Sequence, residues 1–379
     1  MIHNILETIG ETPLITIPNS NTADEGRILL KYERFNPGGS IKDRPALYII
    51  QEAERKGLLK PGGTIIESSS GNFGISLAMI GAARGYRVII LADPKTTSAN
   101  ISVLKAFGAE VIIVTEKDDS GSYHKTRITQ ANKLAQEIPN AYRPDQCFNL
   151  LNRETHYKNT AQEIMHACSD KIAVFITAVS TGGQLGGISK YLKTFAPHVH
   201  IIGVDAEGST IFGGEAKSYK IPGVGLSWTP LNLDVNYVDR IFKVKDEHAF
   251  IAARSIARHE GILIGPSSGA CVMVALKVAQ ELGPDKQVVC MVADGGDRYL
   301  STLFNDEWMK KQHFSLSVNT EMVRATASKL IPWSENPQGC ANYRTDLIKS
   351  LNVPKSTLKM NQETVNRSLL NRERSEIID

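Results

Sequence analysis

The sequence predicts two doubly wound α/β lobes with mostly parallel sheets, on three observations. Short β-branched runs alternate with helical patterns along most of the chain, glycine-rich turns follow strands where helices begin, and 379 residues exceed the span of one typical domain. In order, Thr64–Glu67 reads as a strand, a Gly-containing turn follows, and Asn72–Arg84 reads as a helix. Tyr86–Leu91 is the next strand, Ala99–Phe107 a helix, Glu110–Val114 a strand and Tyr123–Glu137 a helix. Ala173–Ala178 is a strand that feeds a Gly-rich turn and a helix over Leu185–Phe195. His200–Asp205, the helix Ser268–Glu281 and the strand Val288–Ala293 continue the alternation. Ligands of such folds sit at the carboxyl ends of strands, where strand gives way to helix. Residues 1–35 with 152–310 are expected to form a large lobe, 36–151 a small lobe, and 311–379 an appendage. The appendage has few apolar clusters and carries no interpretable motif; Asn361–Ile378 reads as a short amphipathic helix.

Composition excludes several function classes. With 42% hydrophobic and 22% charged residues the chain is an ordinary soluble globular protein, and a net charge of +3 gives no argument for nucleic acid or a membrane surface. The apolar runs are broken by Gly and Arg, as at Ala82-Ala83-Arg84-Gly85, before they reach spanning length. The five cysteines, Cys147, Cys168, Cys271, Cys290 and Cys340, are scattered without metal-ligand spacing. They predict free thiols in a reducing cytoplasm and no metal site. Met1-Ile2-His3-Asn4 lacks the basic and apolar regions of a secretory signal.

The chemistry is concentrated in a few segments. In Pro37-Gly38-Gly39-Ser40-Ile41-Lys42-Asp43-Arg44-Pro45 a lysine follows two glycines at an expected helix start, with Ser40 as N-cap and Asp43 as an imperfect capping-box partner. The positive end of the helix dipole disfavours a protonated amine there, and a readily neutral amine is what Schiff-base chemistry needs. In Glu67-Ser68-Ser69-Ser70-Gly71-Asn72-Phe73-Gly74 a strand end runs into a helix. Its hydroxyls and N–H groups suit an anion such as a carboxylate, and Asn72 adds a neutral donor. In Val179-Ser180-Thr181-Gly182-Gly183-Gln184-Leu185-Gly186-Gly187 glycines let the backbone close around a phosphate, although neither a P-loop nor a dinucleotide fingerprint is present. Tight strand–helix packing explains the same glycines. In Gly265-Pro266-Ser267-Ser268-Gly269 one serine is expected to cap a helix while the other meets a heterocyclic nitrogen. In Asp294-Gly295-Gly296-Asp297-Arg298 the Asp–Arg pair reads as structural. An amine for an imine, a phosphate cup, a carboxylate loop and a donor to a ring nitrogen together answer the needs of pyridoxal 5′-phosphate and an amino-acid substrate.

Over residues 4–305 the chain resembles the fold-type II pyridoxal-phosphate enzymes of the cysteine synthase and cystathionine β-synthase family. The shared motifs are Asn36-Pro37-Gly38-Gly39-Ser40-x-Lys42-Asp43-Arg44, Ser70-Gly71-Asn72-x-Gly74, Thr181-Gly182-Gly183, Ser267-Ser268-Gly269-Ala270 and Asp297-Arg298-Tyr299-Leu300-Ser301. The resemblance implies that Lys42 carries the cofactor as an imine and serves as the base. It implies that Asn72 meets the ring hydroxyl, that Ser180, Thr181, Gly182, Gly183 and Gln184 hold the phosphate, and that Ser267 meets the pyridine nitrogen. Ser69, Ser70, Gly71, Asn72 and Gln146 would bind the substrate carboxylate. The implied reaction is β-replacement through an α-aminoacrylate on small amino-acid substrates, in a homodimer.

Several positions depart from the usual cysteine synthase pattern. Ser180, Gln184 and Phe73 replace its usual Gly, Thr and Thr, and Asp93-Pro94-Lys95 stands for its Met-Pro. Val204-Asp205-Ala206-Glu207-Gly208-Ser209-Thr210-Ile211-Phe212-Gly213 and Asp294-Gly295-Gly296-Asp297-Arg298-Tyr299-Leu300 are more similar to the N-(2-amino-2-carboxyethyl)-L-glutamate synthases of the 2,3-diaminopropionate pathway of siderophore assembly. Those enzymes join O-phospho-L-serine to L-glutamate, and Arg127 and Ser180 match their substrate-contact positions. Cys147 stands where they have Tyr, and Trp228 where they have Arg. A phosphate leaving group and a dicarboxylate nucleophile both call for cations; Arg127 is the first candidate, with Lys95 and Arg298 behind it. The other readings are a cysteine synthase using sulfide and, from another class, a catalytically silent binding module, against which Lys42 argues.

Overall fold

The computed structural model describes residues 1–118, 121, 123–168, 171–341, 357 and 361. Most of the helix expected over Asn361–Ile378 lies outside the described residues. In chain order the strands and helices begin with β1 (Leu14–Thr16), β2 (Arg27–Tyr32), α1 (Asp43–Arg55), β3 (Thr64–Ser68), α2 (Asn72–Arg84), β4 (Arg87–Ala92) and α3 (Ser98–Ala106). Then come β5 (Glu110–Ile113), α4 (His124–Glu137), β6 (Ala141–Tyr142), α5 (Leu151–Thr155), α6 (Ala161–Cys168), β7 (Ile172–Ala178) and α7 (Gly183–Phe195). The series closes with β8 (His200–Ala206), β9 (Arg240–Val244), α8 (Asp246–Glu260), α9 (Pro266–Ala279), β10 (Gln287–Val292), α10 (Asp306–Lys311) and α11 (Thr320–Ser328).

These elements form two units, each with its own sheet. The small unit takes residues 1–7 and 42–155, with Thr357 and Asn361; the large unit takes residues 8–41 and 156–341. The chain therefore passes from one unit to the other between Ile41 and Lys42, not at residue 36, and between Thr155 and His156, not at 152. The reason for the first shift is local: Ile41 N–H donates to Ala293 O at 2.8 Å and Ser40 bridges Asp294, which ties the glycine segment to the exit of β10.

The small sheet has the order β5-β4-β3-β6, all parallel. Ile66, Ile89 and Leu91 of its strands pack on Ala131 of α4. Asn361 brackets the segment after β6, with Leu150 N–H donating to its Oδ1 and its Nδ2 donating to Phe148 O, both at 2.8 Å. The large sheet has the order β1-β2-β10-β7-β8-β9, parallel except for β1. Val174, Ile176, Val288, Cys290 and Phe242 line one face under α8 and α9, while Phe175, Val289, Met291 and Ile241 line the other under α6 and α7. Burial on both faces is what an all-parallel centre requires. Strand β2 is missing from the sequence reading because Lys31 interrupts its apolar run. Lys31 is nevertheless buried, with Nζ donating to Thr12 O and Glu163 Oε2, both at 2.6 Å.

The first half of the appendage is part of the large unit. Val323 and Ala327 belong to the core that contains α8 and α9, with Met309 just before the appendage. Arg324 donates to Ser20 O at 3.1 Å and pairs with Glu25. No helix of the described residues is long and apolar enough to cross a membrane, and among them no group of His, Cys, Asp or Glu is placed to hold a metal ion.

Candidate active site

The small unit carries Lys42, Ser69, Ser70, Gly71, Asn72, Arg127 and Gln146; the large unit carries Ser180, Thr181, Gly182, Gly183, Gln184 and Ser267. Lys42 is half-buried and itself holds the N-cap position of α1, with φ −70° and ψ −18° and no side-chain cap. This corrects the expectation that Ser40 caps this helix: Ser40 is drawn into the bridge with Asp294. Asp43, fully buried, accepts from the Ser76 hydroxyl and so ties the start of α1 to α2.

In the small unit the turn after β3 is closed by its own side chains. Ser69 Oγ accepts from Gly74 N–H at 3.0 Å, and Ser70 O accepts from Asn100 Nδ2 at 3.0 Å. Arg127, on α4, donates from Nη1 to Ser70 Oγ at 3.1 Å while its Nε lies 3.5 Å from Asp93 Oδ2. Arg127 is 8% exposed, and Nε makes no hydrogen bond. Burial pulls the guanidinium's pKa down against the pull of Asp93. The arrangement is a desolvated cation with a spare donor, hydrogen-bonded to the turn after β3.

Below this loop lies a buried charge group that sequence reasoning missed. Arg143 faces Glu67 at 3.4 Å and Asp145 at 3.2 Å, and all three side chains are at most 3% exposed. Glu67 Oε1 accepts from Ser68 N–H at 2.8 Å and Glu67 Oε2 from Asp145 N–H at 2.7 Å, which joins β3 to the segment holding Gln146. Burial pushes both carboxyls above their usual range. The same burial, beside Arg127 and Arg143, pulls His124 down to about 4. Gln146 O accepts from Asn152 Nδ2 at 2.8 Å. Burial, then Asp145 and Glu67, push the adjacent Cys147 thiol up to about 12, against the pull of Arg143 and Lys42.

In the large unit the turn between β7 and α7 is shaped by steric fit. Gly182 has φ +81°, and a Cβ on it would lie 2.8 Å from Pro230 Cγ; a Cβ on Gly186 would lie 1.9 Å from Asn232 O. Tight packing is thus one real cause of these glycines. Gln184 turns its Nε2 back to Thr177 Oγ1 and Ala178 O, at 2.8 and 2.9 Å, so its backbone N–H is what it brings to the helix start. Ser180 Oγ donates to Gly225 O at 3.4 Å. Helix α9 is capped by Gly265 with Pro266 in its first turn, so neither serine is the N-cap. Ser268 Oγ accepts from Ala293 N–H at 3.1 Å. Ser267 is 7% exposed, and its hydroxyl makes no hydrogen bond among the described residues. Asp297 pairs with Arg34 at 2.8 Å and Arg298 donates to Gly38 O, so both side chains of that segment reach the 34–38 stretch.

The family described as "Pyridoxal-phosphate dependent enzyme" matches residues 5–294. A Bacillus subtilis (strain 168) protein described as "Probable cysteine synthase" is 42% identical over 307 residues, 80% of this chain and 97% of its own length. The cystathionine beta-synthase of Apis mellifera is 42% identical over 318 residues, 82% of this chain and 63% of that protein. Among solved structures, O-ureido-L-serine synthase aligns with a TM-score of 0.76 at 32% identity, covering 82% of this chain and 99% of that one. The residues present fit the group that this likeness implies. Ser267 holds an unengaged, nearly buried hydroxyl, α7 opens on a glycine turn, and Lys42 stands at the first turn of α1.

Proposed function

The chain belongs to the pyridoxal-phosphate dependent enzyme family, among the β-replacement enzymes of the cysteine synthase type, and from that premise we propose that it joins O-phospho-L-serine to L-glutamate, giving N-(2-amino-2-carboxyethyl)-L-glutamate and phosphate. When bound, pyridoxal 5′-phosphate supplies the electron sink that stabilises negative charge at the substrate α-carbon. Lys42 is the residue that would carry it, and its freed Nζ takes up the α-proton and later returns it. Ser69, Ser70, Gly71, Asn72 and Gln146 orient the α-carboxylate. The backbone N–H groups from Thr181 to Gln184, at the positive end of α7, hold the cofactor phosphate, with the Ser180 hydroxyl beside them. Ser267 would offer the ring nitrogen a hydroxyl, not a carboxylate, which would keep that nitrogen unprotonated. Phosphate departs with the electron pair of the Cβ–O bond, and the glutamate amine forms the new Cβ–N bond and gives up a proton. The family likeness also supports small amino-acid substrates and a homodimer.

The observation that carries the substrate choice is Arg127, a buried guanidinium with a spare N–H, hydrogen-bonded to Ser70. An anionic leaving group or a dicarboxylate would satisfy it; sulfide has no need of it. The second reading, a cysteine synthase using sulfide, is favoured by the likeness to the Bacillus protein over nearly its whole length. Phosphate release from O-phospho-L-serine by the holoenzyme, with glutamate or sulfide as the only nucleophile and products identified by mass, separates the two. Turnover with glutamate alone is expected; turnover with sulfide alone makes this a cysteine synthase, and protein without a cofactor absorption band is the silent module. Arg127→Ala is expected to raise KM for the charged partner about tenfold or more with the cofactor band unchanged.

A further inference from the structure

Trp333 lies outside the span that the family matches. Its segment runs beside β9, the edge strand of the large sheet. Trp333 and Ser334 N–H groups donate to Ile241 O at 2.7 and 3.3 Å, and Ile241 N–H donates to Ser334 O at 2.9 Å. Arg240 pairs with Glu335 at 2.6 Å. Covering an edge needs only this backbone pairing, yet the indole makes further contacts. Its ring centroid is 4.2 Å from Lys243 Nζ, and its Nε1–H donates to Phe212 O at 3.1 Å.

Lys243 carries the contact inward. Its Nζ donates to Ser209 O at 2.8 Å and Gly213 O at 2.6 Å, so ring and ammonium together grip the loop that follows β8. Ser209 then holds a second loop: its Oγ donates to Leu226 O at 3.1 Å, and Thr210 N–H donates to the same oxygen at 3.0 Å. Next to Leu226, Gly225 N–H donates to Val179 O at 2.8 Å, and Gly225 O accepts from Ser180 Oγ at 3.4 Å. Val179 and Ser180 open the glycine turn of α7. An unbroken series of hydrogen bonds and one cation–π contact, all inside the large unit, thus joins the C-terminal extension to that turn.

We propose that Trp333 is a positioning residue for the cofactor phosphate, acting through Lys243 and the 209–213 and 225–226 loops on Val179 and Ser180; this rests on the reading of the Ser180–Gln184 turn as the phosphate site. Removing the indole strips the ring from the Lys243 ammonium and the donor from Phe212 O, leaving only the two Lys243 hydrogen bonds of this clamp to hold the loop that backs the glycine turn.

The test uses the full chain. In Trp333→Ala, hydrogen exchange should quicken at the amides of Thr210, Gly213, Gly225 and Leu226, and pyridoxal 5′-phosphate should leave the holoenzyme about tenfold faster. Its phosphorus resonance should shift as well. Trp333→Phe keeps a ring over Lys243 and should restore retention to within about threefold of the original. Ile331→Ala, at a side chain that is 82% exposed two residues away, should leave every readout unchanged. Unaltered exchange in Trp333→Ala overturns the proposal at the clamp. Faster exchange with unaltered cofactor retention and resonance overturns it at the turn, and places the fault in the phosphate-site reading.

Discussion

Ser69–Gly74 in the small unit and Val179–Gly183 in the large unit both follow a parallel strand and open a helix, yet they are held by different forces. The first is held by side chains: Ser69 Oγ receives Gly74 N–H, Arg127 reaches Ser70, and Glu67, two residues earlier in β3, sits in a buried group with Arg143 and Asp145. The second is joined to Gly225 by neutral hydrogen bonds and otherwise held by shape, because Gly182 and Gly186 leave no room for a Cβ against residues 230–233. A loop of the first kind answers to charge and pH; a loop of the second kind answers to volume.

Lys42, the first residue after the chain leaves the large unit, belongs to neither loop. Lys42→Ala should therefore leave both folded and still lower turnover by on the order of a thousandfold or more, because imine partner and base go together. Turnover at the original rate would break the assignment of the site.

The comparison itself is tested by a pair of variants read by denaturant unfolding at several pH values. Arg143→Leu leaves two buried carboxylates without their cation and should cost roughly 3–5 kcal/mol at neutral pH. The cost should shrink on acidification as Glu67 and Asp145 take up protons. Gly186→Ala should cost roughly 2–3 kcal/mol by overpacking, with no dependence on pH. Equal pH profiles for the two would erase the distinction drawn here.

The smallest effect concerns single titrating groups. Burial pushes Asp205, in β8, up to about 7 and pulls His124, in α4, down to about 4. A carboxyl raised in the folded state contributes stability that is complete below its unfolded value of 3.8 and lost as pH rises through about 7. Asp205→Asn should therefore gain on the parent protein as pH rises from 3.8 to about 7 and level off above it. A histidine lowered to about 4 contributes stability present above 6.5 and lost as pH falls through about 4, so His124→Gln should flatten the acid side. Parallel profiles for parent and variants would remove these two groups from the pH response.

Much of this was legible in the chain, and the misses have identifiable causes. Asn72–Arg84 has the expected bounds, its last residue followed by Gly85 at φ +73°, and most other expected elements differ by one or two residues. The caps were misassigned because Ser40 and Ser268 are claimed by the exit of β10, far along the chain. The appendage looked featureless because Val323 and Ala327 are few, yet at that spacing they share one helix face and join the core.

By itself, then, the sequence determined the alternation of strand and helix, the glycine turns at strand ends and the lysine at a helix start, because these follow from backbone sterics and side-chain period within a few residues. Only the tertiary structure decided what Arg127 and Trp333 touch. Arg127 meets Ser70 from 57 positions away, and Trp333 meets Phe212 from 121 positions away. The partner of a long polar side chain depends on which strand its segment packs beside, and no local preference encodes that.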